Sequence, residues 1–350
     1  MIKYLFIISL LLLGCTSSHQ KAELEKIEET DIDTLTLHSV PDMELWCSDG
    51  MAICDSCLLI IDRCQDKKLF IYRLKDFECL ANIGSVGQGP GDMVFPFFLH
   101  GNKAATLKEQ TLYDVNLSRL KTIDIDALLH GSTNVIKQNV SLLSELSGST
   151  DMVQMGDCYF GTKDLDQGLF FRYSSADSTM GWIPYPSSLL SIEDARQGNV
   201  NQSRMTAQVN EGLLAVAMRY YNQIFLYNAK GELLRGGTLG QKIEPIFENN
   251  QELSESSKIF FSHIYSTDNY IYLVTANQYY KDKRPSSRRS SDIIVLDWDL
   301  NHIKTFHANR RIQQLILDSI YHRLLVLCVN DEEAPELYYT DFEEDWFTKN

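Results

Sequence analysis

The chain has 350 residues, a formal net charge of −15 and a hydrophobic fraction of 44%. So strong a negative charge argues against nucleic acid as a partner, because phosphate contacts require a clustered basic surface. The length exceeds that of a typical single core but is within the range of one large all-β domain.

The N-terminus has the pattern of a bacterial export signal. Lys3 precedes an apolar run at residues 5–13, which is as long as a signal-peptide core and too short for a membrane-spanning helix. The sequence Leu12-Leu13-Gly14-Cys15 that ends it resembles the lipobox of bacterial lipoproteins, in which the cysteine is acylated after cleavage. An uncleaved signal anchor is the alternative. We expect residues 1–15 to be a lipoprotein signal peptide and Cys15 to anchor the mature protein in the cell envelope, at the outer membrane.

The next segment, residues 16–31, is polar and lacks aromatic residues, so it cannot bury enough surface to fold alone. It is predicted to be a flexible tether. We expect residues 32–350 to form a single domain, with a first strand at residues 35–40 that pairs beside the C-terminal residues.

Four of the eight cysteines lie close together in the sequence: Cys47, Cys54, Cys57 and Cys64. They could form a zinc site or, through the C-x-x-C spacing of Cys54 and Cys57, a redox site. A single structural disulfide in this segment is the preferred interpretation. On one strand, residues three apart face opposite sides of the sheet, so Cys54 and Cys57 are expected to diverge.

A local pattern of apolar strand, polar turn, aromatic-bearing strand, turn and third strand occurs six times. Its first strands lie at residues 58–61, 104–107, 158–160, 213–217, 270–274 and 324–327. Short strands at regular spacing indicate an array of sheets, and a radial array closes without long exposed edges. The sequence therefore predicts an all-β, six-bladed β-propeller with four-stranded antiparallel blades.

A glycine-rich segment, "GSVGQGPGD", follows the third strand of the first copy and contains Gly84, Gly87, Gly89, Pro90, Gly91 and Asp92. A phosphate loop would lead into a helix whose amides face the phosphate. Here Pro90 removes one amide, and an apolar run containing a second proline follows. We interpret the segment as a structural crossover between blades, in which glycines such as Gly89 allow positive φ.

This glycine segment, behind the first tyrosine-bearing hairpin of a lipoprotein of this length, resembles the TolB-like six-bladed β-propeller lipoproteins of bacterial envelopes. The resemblance extends over residues 35–347, although only residues 84–92 are motif-specific. Asp92 is followed by Met93, where the family pattern has an aromatic residue. The resemblance implies the propeller fold and no catalytic residues.

Local sequence motifs do not establish an enzyme. The chain lacks a G-x-S-x-G nucleophile motif and an H-E-x-x-H motif, and its eight histidines are scattered. We assign no catalytic residue, metal ligand or cofactor. The alternative is a metal-dependent propeller hydrolase, lactonase or lyase acting on a carbohydrate, because such enzymes assemble their sites from distant loops.

Binding or scaffolding for a protein or glycan partner is the preferred function. The longest insertion, residues 278–291, is predicted on the same face as the glycine segment and is basic in an acidic chain. Its candidate contact residues are Tyr279, Tyr280, Lys281, Lys283, Arg284, Arg288 and Arg289. Alternatively, these cations neutralise the acidic loop at residues 331–336 of the next copy.

Overall fold

The computed structural model describes residues 23–30, 32–101, 108–163, 167–189, 200–248 and 252–347. The predicted signal peptide, Cys15 and the first part of the tether lie outside these residues. Within the part of the chain that is described, no helix is long and apolar enough to span a membrane.

Six antiparallel sheets form the blades of a β-propeller, which confirms the predicted fold. The N-terminal strands are β1 (Leu24–Ile27), β2 (Ile32–Thr34) and β3 (His38–Ser39). Blade 1 contains β4 (Ser48–Cys54), β5 (Cys57–Asp62), β6 (Lys67–Arg73) and β7 (Cys79–Ser85). Blade 2 contains β8 (Pro96–Phe98), β9 (Glu109–Asp114), β10 (Arg119–Asp124) and β11 (Ile136–Ser141). Blade 3 contains β12 (Asp151–Met155), β13 (Cys158–Thr162), β14 (Phe170–Ser174) and β15 (Thr179–Ile183).

Blade 4 contains β16 (Ser203–Gln208), β17 (Leu213–Met218), β18 (Gln223–Asn228) and β19 (Leu233–Leu239). Blade 5 contains β20 (Lys258–Ser266), β21 (Tyr270–Tyr279), β22 (Ser291–Asp297) and β23 (His302–Ala308). Blade 6 contains β24 (Ile312–Asp318), β25 (Arg323–Val329) and β26 (Pro335–Asp341). A short helix, α1 (Ile125–Leu129), precedes β11, and 3₁₀ turns lie at Ser286–Arg288 and Glu344–Phe347.

The central strands of each blade are buried on both sides because neighbouring blades pack face to face. Every residue of β5 and β25 is buried, whereas the outer strand β15 alternates between exposed and half-buried positions over most of its length. In five of the six copies recognised in the sequence, the first two apolar strands are the second and third strands of a blade. In the second copy, the first strand predicted at residues 104–107 lies outside the described residues. The inner strands, such as β16 with its sequence SRMTAQ, are more polar because they line the axis of the ring.

The N-terminal segment runs along the outer edges of blades 4, 5 and 6. β1 pairs in parallel with β19, β2 pairs in parallel with β23, and β3 pairs antiparallel to β26. β3 is the fourth strand of blade 6, so the two ends of the chain close the ring as predicted. The tether predicted over residues 16–31 overlaps β1, and its C-terminal part therefore belongs to the folded domain; sheet pairing, rather than a core of its own, orders this polar stretch.

The clustered cysteines form one disulfide, between Cys47 and Cys64, as preferred from the sequence. The expectation that Cys54 and Cys57 diverge is wrong. They lie on two strands joined by a two-residue turn and are directly paired across the β4–β5 hairpin. Burial raises the pKa of both thiols, that of Cys54 to about 12, so the thiolate form that redox chemistry requires is disfavoured.

Candidate functional site

The inner strands of all six blades line one central cavity of about 620 Å³. Its rim on one side is the crossover face, which we define as the face carrying the connections from each blade to the next and the loops between second and third strands. Because each first strand starts at this face, the first residues of the inner strands surround the mouth of the cavity.

Several groups with positive or titratable character converge on the cavity from different blades. His100 follows β8, Arg204 lies on β16 and His263 lies on β20. The surrounding protein lowers the pKa of His100, and it lowers the pKa of His263 to about 3, with His100 and Arg204 adding to the effect. Both rings are therefore neutral at pH 7, and the ring of His263 is 3.3 Å from the carbonyl oxygen of Leu315 through Nε2.

A second, smaller cavity of about 210 Å³ lies between blades 3 and 4 at the crossover face. We call it the blade 3/4 pocket. It meets the central cavity at Thr150 and Arg204, which line both. Three cationic side chains, those of Lys163, Arg204 and Arg219, line it, and no carboxylate does so among the described residues. The lining of this pocket is therefore cationic, without an acidic side chain among the described residues.

The basic insertion connects β21 to β22 and lies on the crossover face, as predicted. Tyr279 is 52% exposed, and the side chain of Lys283 is 86% exposed, 3.9 Å from a carboxylate oxygen of Glu255. Lys281 and Arg288 are exposed as well. Within the described part of the chain, neither has a carboxylate within salt-bridge distance.

The other predicted contact residues hold the insertion together. Arg284 makes a paired contact with Asp282, with Nη2 2.6 Å from Oδ2, and this pair lowers the pKa of the carboxyl well below its usual range. Arg289 donates from Nη2 to the backbone carbonyl of Asp282 at 3.0 Å. Tyr280 packs edge-on against Tyr220 of blade 4, with ring centroids 6.2 Å apart.

The acidic loop of blade 6 contacts the base of the insertion. Glu333 accepts a 2.7 Å hydrogen bond from the hydroxyl of Ser286 and lies 3.8 Å from Nη1 of Arg289. Arg311 of blade 6 makes a shorter contact with the same carboxylate, at 2.8 Å. Arg289 therefore contacts the acidic loop, as the neutralising interpretation expects, whereas Lys281, Lys283 and Arg288 face solvent. For these three residues the binding interpretation stays a prediction.

The glycine segment connects β7 to β8 on this same face. Gly84 has φ +84°, and a side chain there would meet Met93, whereas Gly89 lacks positive φ, contrary to expectation. Gly87 and Gly89 are needed for a different reason: their backbones lie against the carboxylate of Asp92, which accepts a 2.8 Å hydrogen bond from the Gly89 amide. The chain's own carboxylate thus occupies the amide that a phosphate would use.

A paired set of aspartates also positions the crossovers, which sequence reasoning missed. Asp62 ends β5 and accepts hydrogen bonds from the amides of Trp46 and Cys47, and Asp114 ends β9 and accepts them from Val94 and Phe95. Among the described residues, no group of three or more His, Cys, Asp or Glu side chains is placed to hold a metal ion.

The residues around the cavities could not be found by a local motif. His100, Arg204, Arg219 and His263 come from three different blades, and each stands alone in the sequence. The only feature these residues share in the sequence is that each lies close to a strand of one of the repeated copies. That position identifies a cavity residue only once the six blades are arranged in a ring.

Solved structures with low sequence identity share the fold. A member of the DUF4221 family from Bacteroides vulgatus has a TM-score of 0.61 and 13% identity, with 92% of this chain and 98% of that chain covered. A candidate exported protein from Bacteroides fragilis has a TM-score of 0.54 and 13% identity, with 92% of this chain and 100% of that chain covered. The calcium-binding protein regucalcin from Agrobacterium tumefaciens has a TM-score of 0.51 and 10% identity, with 90% of this chain and 96% of that chain covered.

At these identities the likeness is one of fold alone. No curated protein sequence matches the chain significantly. The family model of TolB-like 6-blade propeller-like proteins matches residues 49–320, most of the chain. The chain therefore belongs to the TolB-like six-bladed β-propeller family, as the glycine segment and the sixfold repeat indicated.

Proposed function

We propose that this protein is a lipid-anchored recognition module of the cell envelope, and that its crossover face binds an anionic glycan. The observation that carries the proposal is the exposed group formed by Tyr279, Lys281, Lys283 and Arg288, in a chain whose net charge is −15. We call this group the basic patch. Membership of the TolB-like family and similarity to a candidate exported protein support an envelope location.

The composition of the basic patch suits a sugar polymer better than a flat protein surface. An exposed tyrosine ring beside cations can stack on a sugar while the cations contact acidic groups along the chain. The patch also stands on a rigid base, because Arg284 and Asp282 pair within the insertion and Tyr280 packs on Tyr220. Less ordering entropy is then lost on binding than with a mobile loop.

A cavity of about 580 Å³ beside the insertion has a mixed lining. Ser286 of the insertion, Arg310 and Tyr338 line it together with two acids, Asp331 and Glu336. The guanidinium of Arg310 lies 4.4 Å from the ring centroid of Tyr338, whose hydroxyl donates to Glu336 at 2.6 Å. These acids make the cavity less suited to an anion than the basic patch itself.

The test is binding of polygalacturonate, a polymer of an acidic sugar, with dextran as the neutral comparison. In the variant Lys281→Ser, Lys283→Ser, Arg288→Ser we expect about tenfold weaker binding at low salt, since three exposed ionic contacts contribute about 0.2–1 kcal/mol each. The effect should shrink at high salt, where exposed charges are screened.

A matched control removes the same charge elsewhere. Lys26, Lys108 and Lys137 lie outside the insertion, and their side chains are 56%, 57% and 53% exposed. Each of them pairs with a carboxylate, so this triple variant controls for the number of charges removed. Their triple change to Ser should leave polymer binding unchanged. Equal weakening in both triple variants would mean that net charge alone governs binding. Capture of an envelope protein that depends on the basic patch, without polygalacturonate binding, would replace the glycan with a protein partner.

A further inference from the structure

We infer that the blade 3/4 pocket binds the carboxylate of one acidic sugar residue, so that the glycan proposed above is anchored by a uronate. The inference rests on the proposed function and names the chemistry of its ligand. It stands on the pocket's geometry and charge, which involve none of the basic-patch residues.

The cationic lining selects for an anion. Lys163, Arg204 and Arg219 all border a space of about 210 Å³, and none forms a salt bridge with a carboxylate among the described residues. Lys163 donates from Nζ to the backbone carbonyl of Glu145 at 2.5 Å, and Asp151 of the adjoining cavity accepts the Met205 amide at 3.1 Å. Neither contact places a carboxylate in the pocket as the described residues line it, so the combined field of three cations at a partly enclosed site favours a bound anion.

The pocket also contains buried polar groups that have no hydrogen-bond partner in the protein. Such groups indicate a binding site for a ligand, whereas cations alone could belong to an ordinary charged surface. Asn201 is 3% exposed, and both Nδ2 and Oδ1 of its side chain lack a hydrogen-bond partner. The hydroxyl of Ser203, which is 6% exposed, and Nε of Arg219 lack partners as well. Leaving such groups unpaired is costly, and buried polar groups in native proteins are nearly always satisfied. A ligand bearing both donors and acceptors, as sugar hydroxyls do, would satisfy them.

The size of the pocket limits the ligand to a small group. Pockets for drug-sized ligands measure about 300–1,000 Å³, so 210 Å³ admits a single ring with its substituents. A carboxylate matches the planar fork of an arginine, and hydroxyl groups match an amide and a hydroxyl. One acidic sugar carries both kinds of group on one ring.

A chain of packed side chains connects the pocket to the basic patch. The guanidinium of Arg219 lies 5.7 Å from the ring centroid of Tyr220, which is buried and packs against Tyr280. Nζ of Lys281 lies 5.4 Å from the ring centroid of Tyr280. The patch therefore lies within two side chains of Arg219, and a glycan anchored by one uronate in the pocket can present its next acidic residues to it.

The experiment is calorimetric titration of the full-length protein with galacturonate, with galactose as its neutral counterpart. We expect binding of galacturonate and at least tenfold weaker binding of galactose. Arg219→Gln and Asn201→Leu should each weaken galacturonate binding at least tenfold. Asn201→Leu should not lower the melting temperature, because it removes a buried amide that has no protein partner. Arg235→Gln, which removes a half-buried arginine on β19 outside the pocket, is the control and should bind as the wild type does.

The outcomes separate the two proposals. The basic-patch triple variant should keep galacturonate binding and bind the polymer about tenfold more weakly at low salt. If polygalacturonate binds through the patch while galacturonate does not bind, the pocket inference is refuted and the proposed function stands. If neither ligand binds, both fail. A sulfated sugar that binds where galacturonate does not would overturn the assignment of a carboxylate, and equal binding of galactose would overturn the role of the cations.

Discussion

Gly84 provides a quantitative test of how the glycine segment is built. It has φ +84°, and a Cβ placed there would lie 2.6 Å from Sδ of Met93, which is completely buried. Alanine in this left-handed conformation costs about 1–2 kcal/mol. Moving the Met93 side chain off its preferred rotamer adds about 0.5–1.5 kcal/mol. We therefore expect Gly84→Ala to lower the free energy of unfolding by about 2–3 kcal/mol.

The assay is urea denaturation, with Gly91→Ala as the matched control in the same segment. A Cβ at Gly91 meets no atom within 4 Å, and the residue has no positive φ, so the control should change stability by no more than about 0.5 kcal/mol. The urea dependence of unfolding should be the same for both variants, since the exposed surface does not change. Equal stability of the two variants would refute the assignment of the strained turn to Gly84.

Three further predictions concern the lipid anchor at Cys15, the closure of the propeller ring and His263 in the central cavity. Cys15→Ser should release the protein from membranes in a carbonate wash, and a variant that stays bound would refute lipid anchoring. Deleting residues 338–350 removes most of β26, which pairs with β3, so the whole cooperative thermal transition should be lost; a truncated protein that keeps it would contradict ring closure. Burial lowers the pKa of His263 to about 3, so from pH 6.5 down to pH 3 the unfolded chain binds a proton that the folded protein does not. His263 should therefore contribute a fall in stability on acidification of at most about 1.4 kcal/mol per pH unit. In pH-dependent melting, His263→Gln should lose stability less steeply than the wild type over this range.

The sequence was sufficient for the fold because the buried strands carry the repeat. Stretches such as residues 58–61 and 224–227 are apolar at every position, and they recur between polar turns at a regular spacing. The polar inner strands gave no such signal. The pairing of β3 with β26 could be predicted because a propeller ring closes when strands from the two ends of the chain share one blade.

The outer strands at the N-terminus could not be predicted from their own residues. β1 has the sequence LEKI, in which only Ile27 is buried, and the segment is polar enough to read as a tether. Its order comes from the edge of β19, whose unpaired backbone groups accept a parallel strand. Such pairing depends on a partner more than 200 residues away in the chain.

The candidate site was predictable in part. The basic insertion stands out because its composition differs from the rest of the chain, and its place on the crossover face was predicted. The sequence does not show which of its cations face solvent, because Arg284 pairs with Asp282 and Arg289 donates to backbone carbonyls. The blade 3/4 pocket was not predicted, since Lys163, Asn201 and Arg219 meet only through the packing of two blades.

Hydrogen–deuterium exchange with and without polygalacturonate tests recognition at the crossover face most directly. We expect slower exchange at residues 279–290 and 218–222 in the presence of the polymer. We expect no change at the β4–β5 turn of Asp55 and Ser56, which lies on the opposite face. Protection confined to the opposite face, or no protection at a polymer concentration that saturates binding, would contradict this expectation.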